Sequence, residues 1–437
     1  MNFNNLKTKV LDKDLCCGCG TCIGICPTNC IDIYPDINQN PVMLNQQDCN
    51  ECGLCYNVCP GKGFDFPRDK EVSKNIKFDH NLGYYDKFYT GYSLDKNIRN
   101  ESASGGVATS MIKYLIENKH VEKAIIVSMD SGKPVLKIID KSEDALQGMQ
   151  SKYGFIPLNK MIKKINKKEE SYVLVGLPCH FQGIENASEY LPNLKKNIKF
   201  KIGLLCGYTQ TYDSIDYMKK CLNLNPKEDY TYLGWREDAY PGNMAFKNKE
   251  TGQIIYKPLY EWLAICVPFF TMNRCFLCVD GANELADIVL GDVHSLGDEE
   301  NCIISRNSFA TKVLQDAKIN GYISLSEIEY KRAMEYPIGK ITTSKRFVPL
   351  IVIENLKRNG KPIPNYNISS DYNKSGIKIF AIMKFKLFKF VRSNHIKSKI
   401  LKHPILAEKV GDFCYRFPNS LIGFPFLKRL YKLMLGR

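Results

Sequence analysis

Cys16-Cys17-Gly18-Cys19-Gly20-Thr21-Cys22-Ile23-Gly24-Ile25-Cys26-Pro27 is the stretch that decides the fold of the N-terminal region. Its cysteines have the spacing C-x2-C-x2-C-x3-C-P, which is typical of bacterial domains that hold 4Fe-4S clusters. The spacing is repeated in Cys49-Asn-Glu-Cys52-Gly-Leu-Cys55-Tyr-Asn-Val-Cys59-Pro60. Two copies predict an α+β ferredoxin-like module with two clusters.

The ligand sets are predicted from a property of this motif. The cysteine before proline binds the cluster whose other three ligands come from the second copy of the motif. The first predicted set is Cys16, Cys19, Cys22 and Cys59. The second predicted set is Cys49, Cys52, Cys55 and Cys26. Structural zinc is the alternative, but zinc does not need two interlocked runs that each close with Cys-Pro. Cys17 and Cys30 fall outside the spacing, and we expect small buried residues there.

Length and composition indicate a folded, multidomain protein. The chain has 437 residues, of which 44% are apolar and 24% charged, so two or three domains are expected. Its 18 cysteines would suit a disulfide scaffold only in a secreted protein, and the N-terminus has no apolar run of the signal-peptide type. We therefore expect a cytoplasmic protein with reduced thiols.

The net charge of +15 is concentrated near the C-terminus. Residues 371–437 hold 15 Lys and Arg against 3 acidic residues, so the rest of the chain is nearly balanced and nucleic acid is not an expected partner. No run of about 18 apolar residues occurs. The longest candidate, Trp262 to Met272, is short enough to be core.

The middle of the chain has the pattern of an α/β core. Apolar runs at Ala124–Ser128, Tyr172–Gly176 and Lys199–Leu205 predict buried strands that alternate with helices. Ligands of such sheets bind at the carboxyl ends of the strands, where Cys179 and Cys206 would lie. A helix is predicted after Ser104-Gly105-Gly106. Its N-terminus suits a phosphate or an electron-rich ring, although an ordinary Ser-capped helix would have the same pattern.

Cys275 and Cys278 form a further C-x2-C pair, in Arg274-Cys275-Phe-Leu-Cys278. Alone, the pair is compatible with zinc, a redox dithiol or a cluster. Together with Cys179 and Cys206 it completes four thiolates, which a third 4Fe-4S cluster needs. Four cysteines stand alone and are expected in the core: Cys221, Cys266, Cys302 and Cys414.

Six short motifs occur in an order that resembles the coenzyme F420 hydrogenase/dehydrogenase beta-subunit family. They are Ser104-Gly105-Gly106, Gln150-Ser151-Lys152-Tyr153, Gly176-Leu-Pro178-Cys179, Leu205-Cys206-Gly207, Arg274-Cys275-x2-Cys278 and Ala286-Asp287-x3-Gly291-Asp292. The resemblance covers roughly residues 84 to 350. A ferredoxin module is a common N-terminal companion in that family.

The resemblance implies an FAD in the α/β core, a 4Fe-4S cluster beside it, and hydride exchange between the flavin and a substrate. Carried onto this chain, it places the flavin against Ser104, Gly105, Gly106, Lys152, Tyr153 and Pro178. Lys152 would favour the anionic reduced ring, unless it is a surface lysine. Apart from the resemblance, His180 follows Cys179 directly and is a candidate proton donor near neutral pH, unless it is a solvent-facing or core histidine. One departure is Cys206-Gly207-Tyr208, where the family often has Cys-His-Gly, so a role for that histidine is not carried over.

The predicted organisation is a ferredoxin-like module at 1–67, a polar linker at 68–83, a core at 84–168 and 169–350, and a basic helical tail at 351–437. In the tail, a helix over Ile377–Arg392 would gather Lys378, Lys389 and Arg392 on one face. Such a strip would suit an anionic leaflet at the inner membrane face, helices packing on their own core, or an acidic partner.

Three functions fit these features. The first is an iron-sulfur flavoprotein oxidoreductase that couples hydride transfer at FAD, with coenzyme F420 or another hydride substrate, to one-electron transfer through the clusters. The second is a non-catalytic electron-transfer subunit that connects a redox partner protein or a soluble carrier. The third is a membrane-associated reductase of a cell-surface polysaccharide or lipid-linked precursor.

Overall fold

The computed structural model describes residues 2–33, 41–68, 75–130, 132–167, 169–238, 240–293, 299–368 and 375–416. The N-terminal module consists of α1 (Phe3–Lys9), α2 (Thr21–Ile25), β1 (Ile31–Ile33), β2 (Pro41–Met43), α3 (Leu54–Asn57) and β3 (Gly63–Phe64). The strands β1 and β2 pair antiparallel. Gly20 and Gly53 stand directly before α2 and α3 with φ of +80° and +74°. Glycine tolerates this left-handed conformation, so the cysteine loops can turn tightly into both helices.

The central region contains the large sheet and its helices. Its elements up to the middle of the sheet are β4 (Lys77–Asp79), β5 (Gly83–Tyr85), β6 (Lys87–Ser93), α4 (Lys96–Glu101), α5 (Val107–Glu117), β7 (Lys123–Asp130), β8 (Lys133–Ile139), α6 (Ile162–Lys167), β9 (Tyr172–Gly176), α7 (Pro178–Ala187), α8 (Pro192–Asn197) and β10 (Ile198–Leu204). The next elements are α9 (Asp213–Cys221), β11 (Tyr230–Glu237), β12 (Asn243–Asn248), β13 (Ile254–Pro258), α10 (Leu259–Phe270), β14 (Ile288–Asp292), β15 (Asn301–Ser305), α11 (Ser308–Ile319) and β16 (Ile323–Ile328). The last are α12 (Tyr330–Glu335), α13 (Pro337–Arg358), β17 (Asn365–Tyr366), α14 (Ser375–Val391), α15 (Asn394–Leu401) and α16 (Pro404–Arg416).

Eight strands form the large sheet in the order β16-β6-β15-β14-β10-β9-β7-β8. The four central strands, β14, β10, β9 and β7, run parallel, and the outer strands pair antiparallel. Both faces are covered. On β9, Val173 packs with α5 and α11 on one face, while Leu174 packs with α6 and α7 on the other. This double burial explains the continuous apolar runs, and the α/β core predicted from them is confirmed.

Parallel strands bring two cysteines to one edge of the sheet. Cys179 lies in the first turn of α7, three residues beyond the end of β9, and Cys206 lies two residues beyond β10. The strands β9 and β10 are direct parallel neighbours. Their carboxyl ends, and both thiols, therefore lie at the same edge.

The region from 351 onward is not an appended tail. The helix α13 continues across residue 350, and β17 pairs in parallel with β3 of the N-terminal module. The buried face of α14, which includes Leu387, Phe388 and Val391, packs with α10 and the small antiparallel sheet β11-β12-β13. That apolar face is therefore not free to lie on a bilayer, and the chain packs on its own core here. Residues 417–437 of the predicted tail and the side chain of Lys378 lie outside the described residues.

Two further expectations concern the linker, which is corrected, and the apolar segment Trp262–Met272, which lies in the core as expected. The predicted linker 68–83 contains β4 and the start of β5, which form a hairpin, and Arg68 pairs with Glu284 at 2.7 Å. Trp262–Met272 contributes to α10 and is largely buried, as expected for core. Among the described residues, no helix combines the length and the apolar character needed to cross a bilayer.

Candidate iron-sulfur and flavin site

The first predicted thiol set lines one cavity. All four cysteines, with Cys17, line the same small space, which is partly open to solvent. The Cys19 thiol is held 3.0 Å from the hydroxyl of Thr21. Burial raises the pKa of Cys59 to about 12, and burial also raises the pKa of Cys22. Thiols in this setting stay protonated until a cation stabilises the thiolates, as bound iron would.

The second set also converges. Burial raises the pKa of Cys55 to about 12, and the nearby thiols of Cys52, Cys26 and Cys49 add to that increase. Cys52 is exposed, whereas Cys55 and Cys26 are buried. This set therefore lies at the protein surface. Cys30 lies 3.5 Å from Cys26, sulfur to sulfur, and is buried beside the set as expected.

The third set is assembled from three separate segments. Burial raises the pKa of Cys206, and the thiols of Cys275 and Cys278 lie near enough to raise it further. Cys179 lies near Cys206 on the other side. The structure thus brings together the four cysteines that were predicted for a third cluster, although they are spread over a hundred residues of sequence.

Cys17 connects the first and third sets. Its thiol lies close to the thiols of Cys179 and Cys19, and the interaction with them lowers its pKa. The sequence identified Cys17 only as a small residue beside a cluster. Its adjacency to Cys16 was the one available signal, because the contact with Cys179 spans more than 160 residues of chain.

Arg274 joins the same two sets from the other side. It is 3% exposed, and its guanidinium donates to the carbonyls of Gly61 at 3.2 Å and Leu277 at 3.0 Å. It also donates to the Tyr366 hydroxyl at 2.5 Å. The cation lies near Cys16, Cys59 and Cys278 and favours their thiolate forms.

The thiol sets fit cubanes better than single ions. In the part of the chain that the structure describes, no group of three or more His, Cys, Asp or Glu side chains is close enough to hold one metal ion. A cubane holds its thiolates farther apart than a tetrahedral zinc ion does. The four cysteines of the first set line one space together, as the ligands of a cubane would.

Comparison with protein families decides the assignment. Residues 8–60 match the "4Fe-4S dicluster domain". Residues 88–163 match the N-terminal model of "Coenzyme F420 hydrogenase/dehydrogenase, beta subunit", and residues 169–331 match the C-terminal model of the same family. The chain belongs to the coenzyme F420 hydrogenase/dehydrogenase beta-subunit family. The resemblance inferred from six motifs is confirmed, and the chain has a 4Fe-4S dicluster domain ahead of the family core.

Curated relatives include several archaeal proteins. The coenzyme F420-dependent sulfite reductase of Methanocaldococcus jannaschii is 26% identical over 359 residues, which are 77% of this chain and 52% of that protein. The chain therefore spans about half the length of this relative. The coenzyme F420 hydrogenase subunit beta of Methanothermobacter thermautotrophicus is 24% identical over 291 residues, which are 65% of this chain and 99% of that protein.

A solved structure shares the fold. A chain of the F420-reducing [NiFe] hydrogenase complex from Methanosarcina barkeri has a TM-score of 0.54 and 21% identity. The match covers 66% of this chain and 98% of that chain. It establishes the fold of the core.

Three of the family motifs meet at Arg236, which sequence reasoning missed. This residue on β11 is 2% exposed. It donates to the Asp292 carboxylate at 2.7 Å and to the Ala103 carbonyl at 2.5 Å. Its guanidinium also lies close to Tyr153. No spacing or repeat marked Arg236, because its partners come from distant segments.

The predicted flavin residues at 104–106 have structural partners of their own. Ser104 donates to the carbonyl of Glu300 at 3.0 Å and does not cap α5. The backbone N–H of Val107, the first residue of α5, instead donates to the side-chain oxygen of Asn301 at 3.2 Å. A Cβ on Gly105 would lie 2.8 Å from the Gly91 carbonyl oxygen and the Asn301 nitrogen. Close packing against the sheet therefore requires glycine there.

Lys152 and Tyr153 lie in a more polar setting. The Lys152 ammonium donates to the carbonyls of Gly148, at 2.9 Å, and Met149. Burial lowers its pKa to about 8, and Glu237 opposes that shift. Tyr153 packs edge-on against Trp262 with ring centroids 5.3 Å apart.

His180 is enclosed by backbone. Its Nδ1 accepts from the Leu177 N–H and its Nε2 pairs with the Ile156 carbonyl, both at 3.0 Å. Burial lowers its pKa to about 4. The ring is thus neutral and fully bonded, an arrangement that favours the core-histidine interpretation over the proton donor. Pro178 is the buried first residue of α7 and positions the loop that carries Cys179.

Two unpaired polar atoms beside Tyr153 fit a bound cofactor with both donors and acceptors. The Gln150 Oε1 and the Gln210 Nε2 are buried without a hydrogen-bond partner among the described residues. Gln210 also donates its backbone N–H to the carbonyl of Tyr153 at 2.8 Å. Buried polar atoms are rarely left unpaired in a complete site, and a flavin ring edge would provide the missing partners.

Proposed function

We propose that this chain is an iron-sulfur flavoprotein oxidoreductase that couples hydride transfer at FAD to single-electron transfer through three 4Fe-4S clusters. One observation carries the proposal: the three thiol sets adjoin one another in a row. The second set is at the surface, and its Cys55 lies near Cys22 of the first set. The first set meets the third through Cys17 and Cys179.

The row leads from the surface toward the polar residues around Tyr153. Cys206 of the third set is followed within four residues by Gln210, whose backbone N–H bonds to Tyr153. Ser104, Gly105, Gly106, Lys152 and Tyr153 would hold the flavin, together with Arg236, Gln150 and Gln210. When bound, FAD exchanges hydride pairs with a substrate and single electrons with clusters.

The chain's own residues position and charge this site. Arg236 fixes the 103–104 turn through its hydrogen bond to the Ala103 carbonyl and lies close to Tyr153. Lys152 is positively charged below about pH 8, and this charge favours an anionic ligand. The aromatic rings of Trp235 and Trp262, both nearly fully buried, exclude water from behind Tyr153.

The substrate would be coenzyme F420 or another hydride carrier, as the names of the relatives suggest. A redox partner protein or soluble carrier would exchange electrons at the exposed Cys52 loop. The test is anaerobic purification followed by quantitation of iron, sulfide and flavin. We expect about twelve irons from three cubanes and one FAD per chain, with turnover of reduced coenzyme F420 and a one-electron acceptor.

A second candidate function is that of an electron-transfer subunit without its own substrate site. It is favoured by relatives whose names describe one component of a larger enzyme, such as the hydrogenase subunit beta of Methanothermobacter thermautotrophicus. Electron uptake by the purified chain with about twelve irons but no flavin would support this function. About eight irons would remove the third cluster from both proposals.

A further inference from the structure

A buried lysine lies against the loop that carries two thiols of the third set. Lys345, on α13, is 4% exposed. Its ammonium donates a hydrogen bond to the backbone carbonyl of Cys275 at 2.7 Å and lies 4.1 Å from the centroid of the Tyr208 ring. The helix α13 begins at Pro337, beyond residue 331, where the family match ends. The segment after the matched region therefore supplies a cation to the third thiol set.

Close packing fixes the position of this lysine. A Cβ on Gly281 would lie 2.8 Å from the Cβ of Lys345, so the lysine stem packs tightly against residue 281. The carbonyl of Gly281 accepts from the backbone N–H of Cys206 at 3.1 Å. The thiols of Cys206 and Cys278 are near enough for the lysine charge to favour their thiolate forms. The ammonium is therefore held at the third set and away from bulk solvent.

The charge of Lys345 is available to the third set. The neighbouring Arg346 pairs with Glu284, whereas in the described part of the chain no carboxylate forms an ion pair with Lys345. Arg274 lies beside thiols of both the first and the third sets. The contacts of Lys345, by contrast, are with the 275–278 loop and with residue 281. Its charge therefore distinguishes the third set from the first.

We propose that the charge of Lys345 raises the reduction potential of the third cluster relative to that of the first. The inference rests on the third cluster of the proposed function. One-electron reduction adds a negative charge to a cluster, and a buried cation beside it stabilises that charge because screening is weak there. Lys345 thereby favours the presence of the electron at the third cluster, next to the flavin region.

The test is a redox titration of the full-length protein, purified without oxygen and followed by low-temperature EPR spectroscopy. The signal that Cys206→Ala loses identifies the third cluster. We expect Lys345→Met to make reduction of the third cluster about tenfold or more less favourable, which lowers its midpoint potential by about 59 mV or more. The potentials of the first and second clusters should remain those of the wild type.

Lys340→Met is the matched control, because Lys340 is an exposed lysine on the same helix and its loss changes the net charge equally. It should leave every potential unchanged. Lys345→Arg keeps the positive charge and should retain the wild-type potential. Iron content and melting temperature verify that each variant folds. If Lys345→Met loses iron, Lys345→Gln is the neutral variant to be titrated.

The outcomes separate this inference from the proposed function. A wild type with about eight irons and no third EPR signal would remove the third cluster, and with it both proposals. A third signal with the same potential in the wild type and in Lys345→Met would remove the role of Lys345 alone. Equal shifts in Lys345→Met and Lys340→Met would show an effect of net charge and would also overturn the inference.

Discussion

The Nη2 of Arg274 donates a hydrogen bond to the carbonyl oxygen of Pro60 at 3.1 Å. Pro60 directly follows Cys59, the last cysteine of the first thiol set, and Arg274 directly precedes Cys275 of the third. One buried side chain therefore holds the two thiol sets in register. The positive charge also lies between two groups that become negative when they bind iron.

Replacement of Arg274 should disturb both sites. Arg274→Gln leaves the carbonyls of Pro60, Gly61 and Leu277 without their donor, and each unpaired buried group costs about 1 to 3 kcal/mol. We expect destabilisation by about 3 kcal/mol or more, with iron lost from the purified protein. Thermal unfolding and iron assay measure this. Arg332→Gln is the control, since Arg332 is an exposed partner of Glu335 and should change stability by less than about 0.5 kcal/mol.

The third thiol set can be removed separately. Cys206→Ala should lower the iron content from about twelve to about eight per chain, because one cubane loses a ligand. Cys221→Ala is the matched control: Cys221 is a half-buried cysteine in the hydrophobic core around α9 and α10. An unchanged iron content in Cys206→Ala would show that this residue is not a ligand.

The pKa of Lys152 predicts that the midpoint potential of the proposed FAD depends on pH. Its pKa of about 8 means that it is positively charged at lower pH, where it stabilises an anionic reduced ring, and neutral at higher pH. Lys152→Met should lower the FAD midpoint potential at pH 7 by about 30 mV. The difference from wild type should vanish above pH 9.

Redox titration of the bound flavin from pH 6.5 to 9.5 measures this effect. Lys137→Met serves as the control, because Lys137 is exposed and bonds only with Gln147 in the contacts described. A variant potential that parallels the wild type across the whole range would contradict a charge at Lys152.

His180 predicts a pH dependence of stability instead of turnover. Its folded pKa of about 4 lies below the unfolded value of about 6.5, so the unfolded chain takes up the proton first as the pH falls. The contribution of neutral His180 to the free energy of unfolding is therefore complete above about pH 6.5. It decreases by about 2 kcal/mol between pH 7 and 5.

His180→Gln should be about 1 to 3 kcal/mol less stable at pH 7 and should lose this pH-dependent decrease. His395→Gln, an exposed site on α15, should retain it. Thermal unfolding at pH 7, 6 and 5 distinguishes the two variants. A turnover profile whose inflection near pH 6.5 disappears only in His180→Gln would restore the role of proton donor.

Sequence reasoning was sufficient where partners are close along the chain or follow a periodic pattern. The strand over Tyr172–Gly176 and the helix beginning at Val107 were predicted within a residue or two of their observed bounds. The positions of Cys179 and Cys206 followed from their place after parallel strands. The linker and the tail were predicted less well, since polarity alone does not show that a segment pairs with a distant strand.

The sequence by itself determined the cysteine spacing, and so the local loops that present three thiols to one point, because backbone geometry acts over a few residues. Only the tertiary structure decided that Cys17 lies beside Cys179, that Arg236 binds Asp292 and Ala103, and that α14 packs with α10. These contacts join segments that are far apart in the chain. They form because folding buries apolar surface against the sheet, and a local sequence pattern does not show which distant segments this brings together.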